Sequence, residues 1–204
     1  MRYHIFIPLL CFFTSVIAQQ KAEFPHKVGI KTNINISTLL GSELQAPRPK
    51  FGYTAGPYLI FNPEKPWSLY TEAVGSFRGS KFKNGDTGYS RIATFYIDVS
   101  ILPLYNIPNS NKAVSLGPYA SYLGLSSLFI GAKKKPEIND IGFKNYDIGV
   151  ASYYHIKGET VSLQIGGKLA LINANNDVNF VGYYPKTGNG GIIRSLSFEI
   201  GMAF

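Results

Sequence analysis

Apolar and polar residues change places at every second position along much of this chain, the mark of a strand with two unlike faces. Val28, Ile30, Thr32, Ile34 and Ile36 alternate with Gly29, Lys31, Asn33, Asn35 and Ser37. The same rhythm recurs over 51–61, 68–78, 94–101, 114–122, 146–156, 161–171 and 194–204, which predicts eight strands. The last, "RSLSFEIGMAF", sets Leu196, Phe198, Ile200, Met202 and Phe204 against Ser195, Ser197, Glu199, Gly201 and Ala203. The third, 68–78, is the least regular. After the first 20 residues no apolar window is long enough for a membrane helix, and no 3.6-residue period competes with the strand reading.

The connections alternate as well. Thr38–Pro49, Gly79–Ser90, Ser126–Asn145 and Asn173–Gly191 are long, whereas Asn62–Pro66, Asn106–Asn111 and Lys157–Thr160 are short. An even strand count with long and short loops in turn predicts an all-β, eight-stranded antiparallel up-and-down transmembrane β-barrel, with short turns on the periplasmic side. Strands of ~9–11 residues suffice to cross a bilayer at ~45° tilt. Each unpaired backbone group in hydrocarbon costs several kcal/mol, so the terminal strand is expected to pair with the first and turn its apolar residues to lipid.

Composition narrows the class. The 204 residues include 21 Gly, 14 Tyr and 14 Phe, and only 16% are charged, which is too apolar for a disordered chain and too polar for a helical membrane protein. "MRYHIFIPLLCFFTSVIAQQ" carries Arg2, an apolar run, and Val16 and Ala18 at the minus-three and minus-one positions, which predicts a secretory signal over 1–18 and a barrel domain over 19–204. Leu10 before Cys11 does not suit a lipoprotein signal. Cleavage after Ala18 would leave 186 residues, a formal charge of +7 and no cysteine, so disulfides are excluded. A basic exported chain suits anionic lipid or lipopolysaccharide. The basic residues are scattered and follow no nucleic-acid motif.

With those segments in view, the chain resembles the PorT-like, porin-family outer-membrane β-barrels of Gram-negative bacteria. "VGIKTNINISTLLG" (28–41) is similar to that family's opening strand and "FGYTAGPYLIF" (51–61) to its second. "YIDVSILPLYNI" (96–107), "LGPYASYLG" (116–124) and "YDIGVASYY" (146–154) are similar to the fourth, fifth and sixth. Phe204 resembles the aromatic-ended signal such barrels offer the barrel assembly machinery. The resemblance spans nearly the whole chain after residue 18. It implies the fold and an outer-membrane location, and says little about activity.

Parity places Lys31, Glu72, Arg78, Asp98, Asp147, Lys168 and Glu199 on the inward face. An eight-stranded barrel is just wide enough for side chains to fill, so these residues are expected to form a paired interior network rather than line an open pore. No enzyme is expected. Only His26 and His155 follow the signal segment, and His155 falls near the periplasmic rim, away from outer-leaflet lipid. No metal or phosphate-binding motif is present, and Asp177 in "NANNDVN" lacks the Gly and Glu of a calcium loop, so no cofactor is predicted. Asn35–Ser37 matches a glycosylation acceptor but carries no weight in a bacterial strand. Lys133, Lys134 and Lys135 in "GAKKKPEIND" are candidates for lipopolysaccharide contact, or else a solvated loop tip. Trp67, Tyr89, Tyr105, Tyr153, Tyr154, Tyr183 and Tyr184 are candidates for interfacial girdles. The predicted role is structural or binding, through extracellular loops. The alternatives are a soluble lipocalin-like barrel holding a small lipophilic ligand, a narrow channel, or a lipid-modifying enzyme.

Overall fold

The computed structural model describes residues 26–41, 47–83, 89–130, 133–134, 144–172 and 193–204. Eight long strands run antiparallel: β1 (His26–Gly41), β2 (Arg48–Phe61), β3 (Trp67–Lys83), β4 (Tyr89–Asn106), β5 (Lys112–Ile130), β6 (Tyr146–Ile156), β7 (Ser162–Ala170) and β8 (Ile193–Ala203). A two-residue segment, Lys133–Lys134, folds back on the end of β5. Each strand pairs with the next, and β8 returns to β1 from Lys31↔Ala203 to Gly41↔Ile193. The sheet is therefore a closed eight-stranded barrel, with no helix among the described residues.

Closure has a measurable stagger. The register passes from Gly29 through Tyr58, Glu72, Ser100, Tyr119 and Gly149 to Ala170. One step beyond the last β7–β8 pair, Leu169↔Leu196, lies Ser195, whose partner on β1 is Leu39. The path thus rejoins β1 ten residues above its start. With ~3.3 Å rise and ~4.8 Å strand spacing this shear tilts the strands by about 40°, within the usual barrel range.

The three tight turns and both ends of the barrel lie together. Asn62 and Asn109 take left-handed backbone conformations (φ 53° and 56°), which short polar side chains tolerate. Asn106 Nδ2 donates to Pro63 O (3.0 Å) and Ser68 Oγ (2.9 Å), and Lys157 Nζ donates to Asn106 Oδ1 (2.6 Å), so one side chain stitches neighbouring turns. The chain end belongs to the same rim. Phe204 exchanges both backbone hydrogen bonds with Ile30 (2.9 and 3.2 Å), and Tyr58 donates to its carbonyl (3.2 Å).

The faces divide as the alternation requires. Ile34, Val99, Leu163, Leu169, Phe198 and Ile200 stand exposed on the outside, while their sequence neighbours are buried within the barrel. In β2, β3 and β4 aromatic residues sit ten positions apart, as Phe51 and Phe61, Phe77 and Trp67, Phe95 and Tyr105. At ~40° tilt ten residues span roughly 25 Å along the barrel axis, the height of an outer-membrane apolar band. Trp67 and Tyr105 pack at 4.9 Å on the lower level, and Tyr53, Phe77 and Phe95 stack in a row at 4.6 and 4.8 Å on the upper.

Two expectations need correction. The segments assigned to long loops are partly strand: β1 runs on to Gly41, β3 to Lys83, and β4 starts at Tyr89, so 79–83 and 89–90 belong to the sheet. β5 likewise continues to Ile130, past a bulge where Phe95 and Tyr96 face Leu125 and Leu123 and Gly124 is the extra residue. Tyr153 is not a girdle residue. It points inward, is 1% exposed and bonds Glu199, because it shares the parity of Asp147 and not that of Tyr154. Among the described residues Trp67 and Tyr105 do stand outside. Tyr89 begins β4, while Tyr183 and Tyr184 lie outside the described residues, as do Asp177, Lys135 and the 1–18 segment.

Candidate functional site

The lumen gathers buried ionisable groups from five strands. Every second residue of each strand turns inward, so eight strands contribute to one cylinder of side chains. Lys31, Glu72, Asp98, Lys168 and Glu199 have fully buried side chains (0% exposed), and Arg78 is 3% exposed. Such burial strongly disfavours unpaired charge.

The pairing is a chain of alternating sign. Glu199 lies 4.0 Å from Lys31, Lys31 donates to Glu72 (2.7 Å), and Glu72 lies 3.2 Å from Lys168. Lys168 donates to Asp98 (2.8 Å), which also accepts from Arg78. The network thus joins β1, β3, β4, β7 and β8 across the barrel's width. Hydroxyls and an amide occupy several of the remaining lone pairs. Ser100 and Tyr70 donate to Glu72 (3.0 and 3.1 Å), Ser121 to Asp98 (2.6 Å), and Asn33 and Tyr153 to Glu199 (2.9 and 3.2 Å). Asp147 joins no ion pair among the described residues. Tyr119 and Ser195 hold it instead, at 3.1 and 2.9 Å.

Tyrosines carry the network into the packing. Tyr58, Tyr70, Leu102, Leu104, Tyr119 and Tyr153 belong to one hydrophobic cluster inside the lumen. Three of these tyrosines face a glycine directly across the ladder: Tyr58 and Gly29, Tyr119 and Gly149, Tyr153 and Gly166. A Cβ at those glycines would meet the ring carbons at 2.7, 2.7 and 2.5 Å, so each ring lies flat in the space a side chain would take. Lys31 Nζ sits 4.4 Å from the Tyr153 ring centre, a cation–π contact within the network.

His155 is buried beside Tyr70 and accepts from or donates to Ser115 Oγ at 2.9 Å. No carboxylate bonds its other nitrogen among the described contacts, so the pair is a satisfied core hydrogen bond without the orienting acid a nucleophilic site needs. Among the described residues no group of three His, Cys, Asp or Glu is placed to hold a metal.

Several inward atoms have no protein partner, among them Arg78 Nη1, Asp147 Oδ1 and Gln164 Oε1. A void of about 10 Å³ beside Arg78, Tyr96, Thr94 and Ser195 has room for one water. Sequence parity assigned the charged residues to this face. It did not identify Tyr70, Tyr119, Tyr153, Ser100, Ser121 or Asn33 as their partners, though all six share that parity.

No protein-family model and no curated relative matches the chain. Solved structures do. Neisserial surface protein A superposes with a TM-score of 0.52 at 14% identity, over 87% of this chain and 97% of that one. Ail, the attachment invasion locus protein of Yersinia pestis, in complex with the heparin analogue sucrose octasulfate, superposes with a TM-score of 0.50 at 9% identity, over 86% and 95%. Identities this low establish the shape alone, and that shape, a small closed barrel of eight antiparallel strands, is one this chain shares with outer-membrane proteins.

Proposed function

We propose that this chain is an integral outer-membrane β-barrel of structural or binding role, with a closed polar interior and its long loops outside the cell. The observation that carries this is the double inversion of the barrel: a lumen of paired charges and an exposed apolar surface roughly 25 Å tall between two aromatic levels. A lipocalin-like carrier needs the opposite, an apolar cavity within and a polar surface without. Export by a signal cleaved after Ala18, assembly through the machinery that reads terminal Phe204, and contact with lipopolysaccharide belong to the same reading.

The lumen contacts support a closed interior over a channel. Salt bridges at 2.7, 2.8 and 3.2 Å cross the lumen, with tyrosine rings filling the space around them. The buried Ser115–His155 pair, with no carboxylate on the other imidazole nitrogen among the described contacts, supports a role that is not enzymatic. Cell fractionation with a heat-modifiability gel tests the location: the protein should remain with the outer membrane and change mobility on boiling. Planar-bilayer recording tests closure, and steady conductance from the folded protein would overturn it.

A further inference from the structure

The wall of the barrel is not stitched evenly. Strands β3 and β4 pair without a break from Trp67↔Tyr105 to Lys83↔Tyr89. The two seams that bound this hairpin are both interrupted. Between β2 and β3 the ladder is lost from Lys50 to Tyr53, where the register shifts, and again at Gly56 and Pro57. Between β4 and β5 the register shifts at Phe95 and Tyr96, and no pair forms where Ile101 to Pro103 run past Leu116 to Pro118. Among the described residues the remaining ladders are unbroken. Proline accounts for part of this, since it has no N–H to give a ladder. Pro57 pairs with Ile30 on β1 but not with β3, Pro118 with Val150 on β6 but not with β4, and Pro103 with Leu69 on β3 but not with β5. All three therefore break the seams around the hairpin and spare the ladders on their other side.

Side chains hold the hairpin where the ladder does not. At the β2–β3 break Asn35 Nδ2 donates to Phe77 O (3.0 Å), while Ser37 Oγ donates to Gly79 O (3.1 Å) and accepts from Gly79 N (2.9 Å). Strand β1 thus reaches past β2 to the β3 backbone. Deeper in the lumen the hairpin carries Glu72, Arg78 and Asp98. Arg78 pairs with Asp98 inside the hairpin itself. The other ion pairs of its two carboxylates cross to the rest of the barrel: Lys31 of β1 lies 2.7 Å from Glu72, and Lys168 of β7 lies 3.2 Å from Glu72 and 2.8 Å from Asp98. Two lysines on the far walls therefore tie down a hairpin whose own seams are incomplete.

We propose that the β3–β4 hairpin is a movable panel of the barrel wall, bolted shut by Lys31 and Lys168, which opens as one unit while the remaining strands stay paired. A seam with fewer ladder bonds loses fewer backbone partners when it parts, and in hydrocarbon each lost partner is expensive. The two interrupted seams are where this wall parts first. Local opening of a protein follows contiguous supersecondary units, and a fully paired hairpin between two weak seams is such a unit. The panel depends on the closed barrel and its lumen pairs, not on where the cell places the protein.

The test uses the full chain, with Cys11 replaced by serine, folded into phosphatidylcholine vesicles. Val74→Cys and Ser100→Cys report on the panel, and Ala151→Cys and Ser197→Cys on the rest of the wall; all four positions are buried in the lumen. Alkylation by membrane-permeant N-ethylmaleimide is followed by mass spectrometry at urea concentrations below the unfolding midpoint. The two panel cysteines should react at a common rate, at least about tenfold faster than the two wall cysteines and with a shallower urea dependence. Lys31→Met and Lys168→Met should each raise the panel rate about 100-fold or more, as loss of a buried ion-pair partner requires. Ile200→Arg, on β8, should raise the wall rate about 30-fold or more and leave the panel rate unchanged, because β8 stays in the bilayer when the panel opens. Two reporters on each unit keep the comparison intact if one substitution abolishes the heat-modifiable band. One rate and one urea dependence at all four positions, or equal acceleration of all four by Ile200→Arg, would overturn the panel.

Discussion

Lys168→Met removes the cation at the middle of the lumen network while keeping much of its length. Lys168 Nζ lies 2.8 Å from Asp98 and 3.2 Å from Glu72, with both partners and the lysine itself fully buried. At an effective dielectric near 20 each contact corresponds to about 5–6 kcal/mol of attraction, offset by a desolvation penalty of several kcal/mol per ion. The wild-type balance is therefore small, but the variant's is not. Asp98 keeps Arg78 and Glu72 keeps Lys31, yet both carboxylates lose a charge partner without regaining water. Breaking a buried pair in this way costs about 3–5 kcal/mol. The assay is urea unfolding in phosphatidylcholine vesicles, followed by heat-modifiable mobility and by emission of Trp67, the chain's only tryptophan. A cycle with Glu72→Gln should return a coupling of about 1–3 kcal/mol. A loss below ~1 kcal/mol, the range of solvent-exposed pairs, would refute the claim that these ions are dry and mutually dependent.

Other sites test other parts of the account. Ile200→Arg places a charge on the lipid face at mid-strand and should cost about 2–4 kcal/mol in vesicle unfolding, whereas the inward Ser197→Ala should cost far less. Gly149→Val should displace the Tyr119 ring, loosen its bond to Asp147 and cost about 1–3 kcal/mol, visible in the same urea titration. Phe204→Ala keeps the backbone bonds to Ile30, so purified protein should refold nearly as well as wild type, while outer-membrane levels in cells fall several-fold by immunoblot if the terminal aromatic is an assembly signal.

The parts of the molecule legible in the sequence share a physical cause. β6 was readable end to end at 146–156 because every outward position is exposed or half-buried and every inward one is buried in the lumen. The tops of β3 and β4 were not. Above the upper aromatic level the outward residues Lys81 and Arg91 are charged while the inward Ser80 and Ile92 stay buried, so the apolar alternation stops although the backbone ladder continues to Lys83↔Tyr89. β5 hid its end for a different reason: the Gly124 bulge shifts the parity, leaving Gly124 and Leu125 both outward. At 17, 18 and 19 residues, β3, β4 and β5 exceed what a bilayer needs and raise a ribbon roughly 20 Å beyond it.

The lumen divides in a similar way. Parity gives a face and nothing more, so it collected the seven charged residues without saying which would meet. Lys31 reaches Glu72 across β2, and Lys168 reaches Asp98 across the barrel; both depend on the ten-residue stagger, which no single strand encodes. Asp147 sits on the right face but at a height where hydroxyls of Tyr119 and Ser195 are its partners. The upper edge of β2 and β3 was not legible because Arg48 and Lys81 lie in segments assigned to loops and become neighbours only once those segments pair.

Spin-label accessibility along β8 tests the orientation of the wall most directly. Single cysteines at 195 to 202, in a chain whose one native cysteine, Cys11, is replaced by serine, would carry nitroxides into a bilayer. Labels at 196, 198, 200 and 202 should be relaxed by lipid-soluble oxygen, and those at 195, 197, 199 and 201 should not. Access of a water-soluble nickel chelate to the even positions, or the reverse alternation, would contradict a barrel that turns its apolar side to lipid and its charges to the axis.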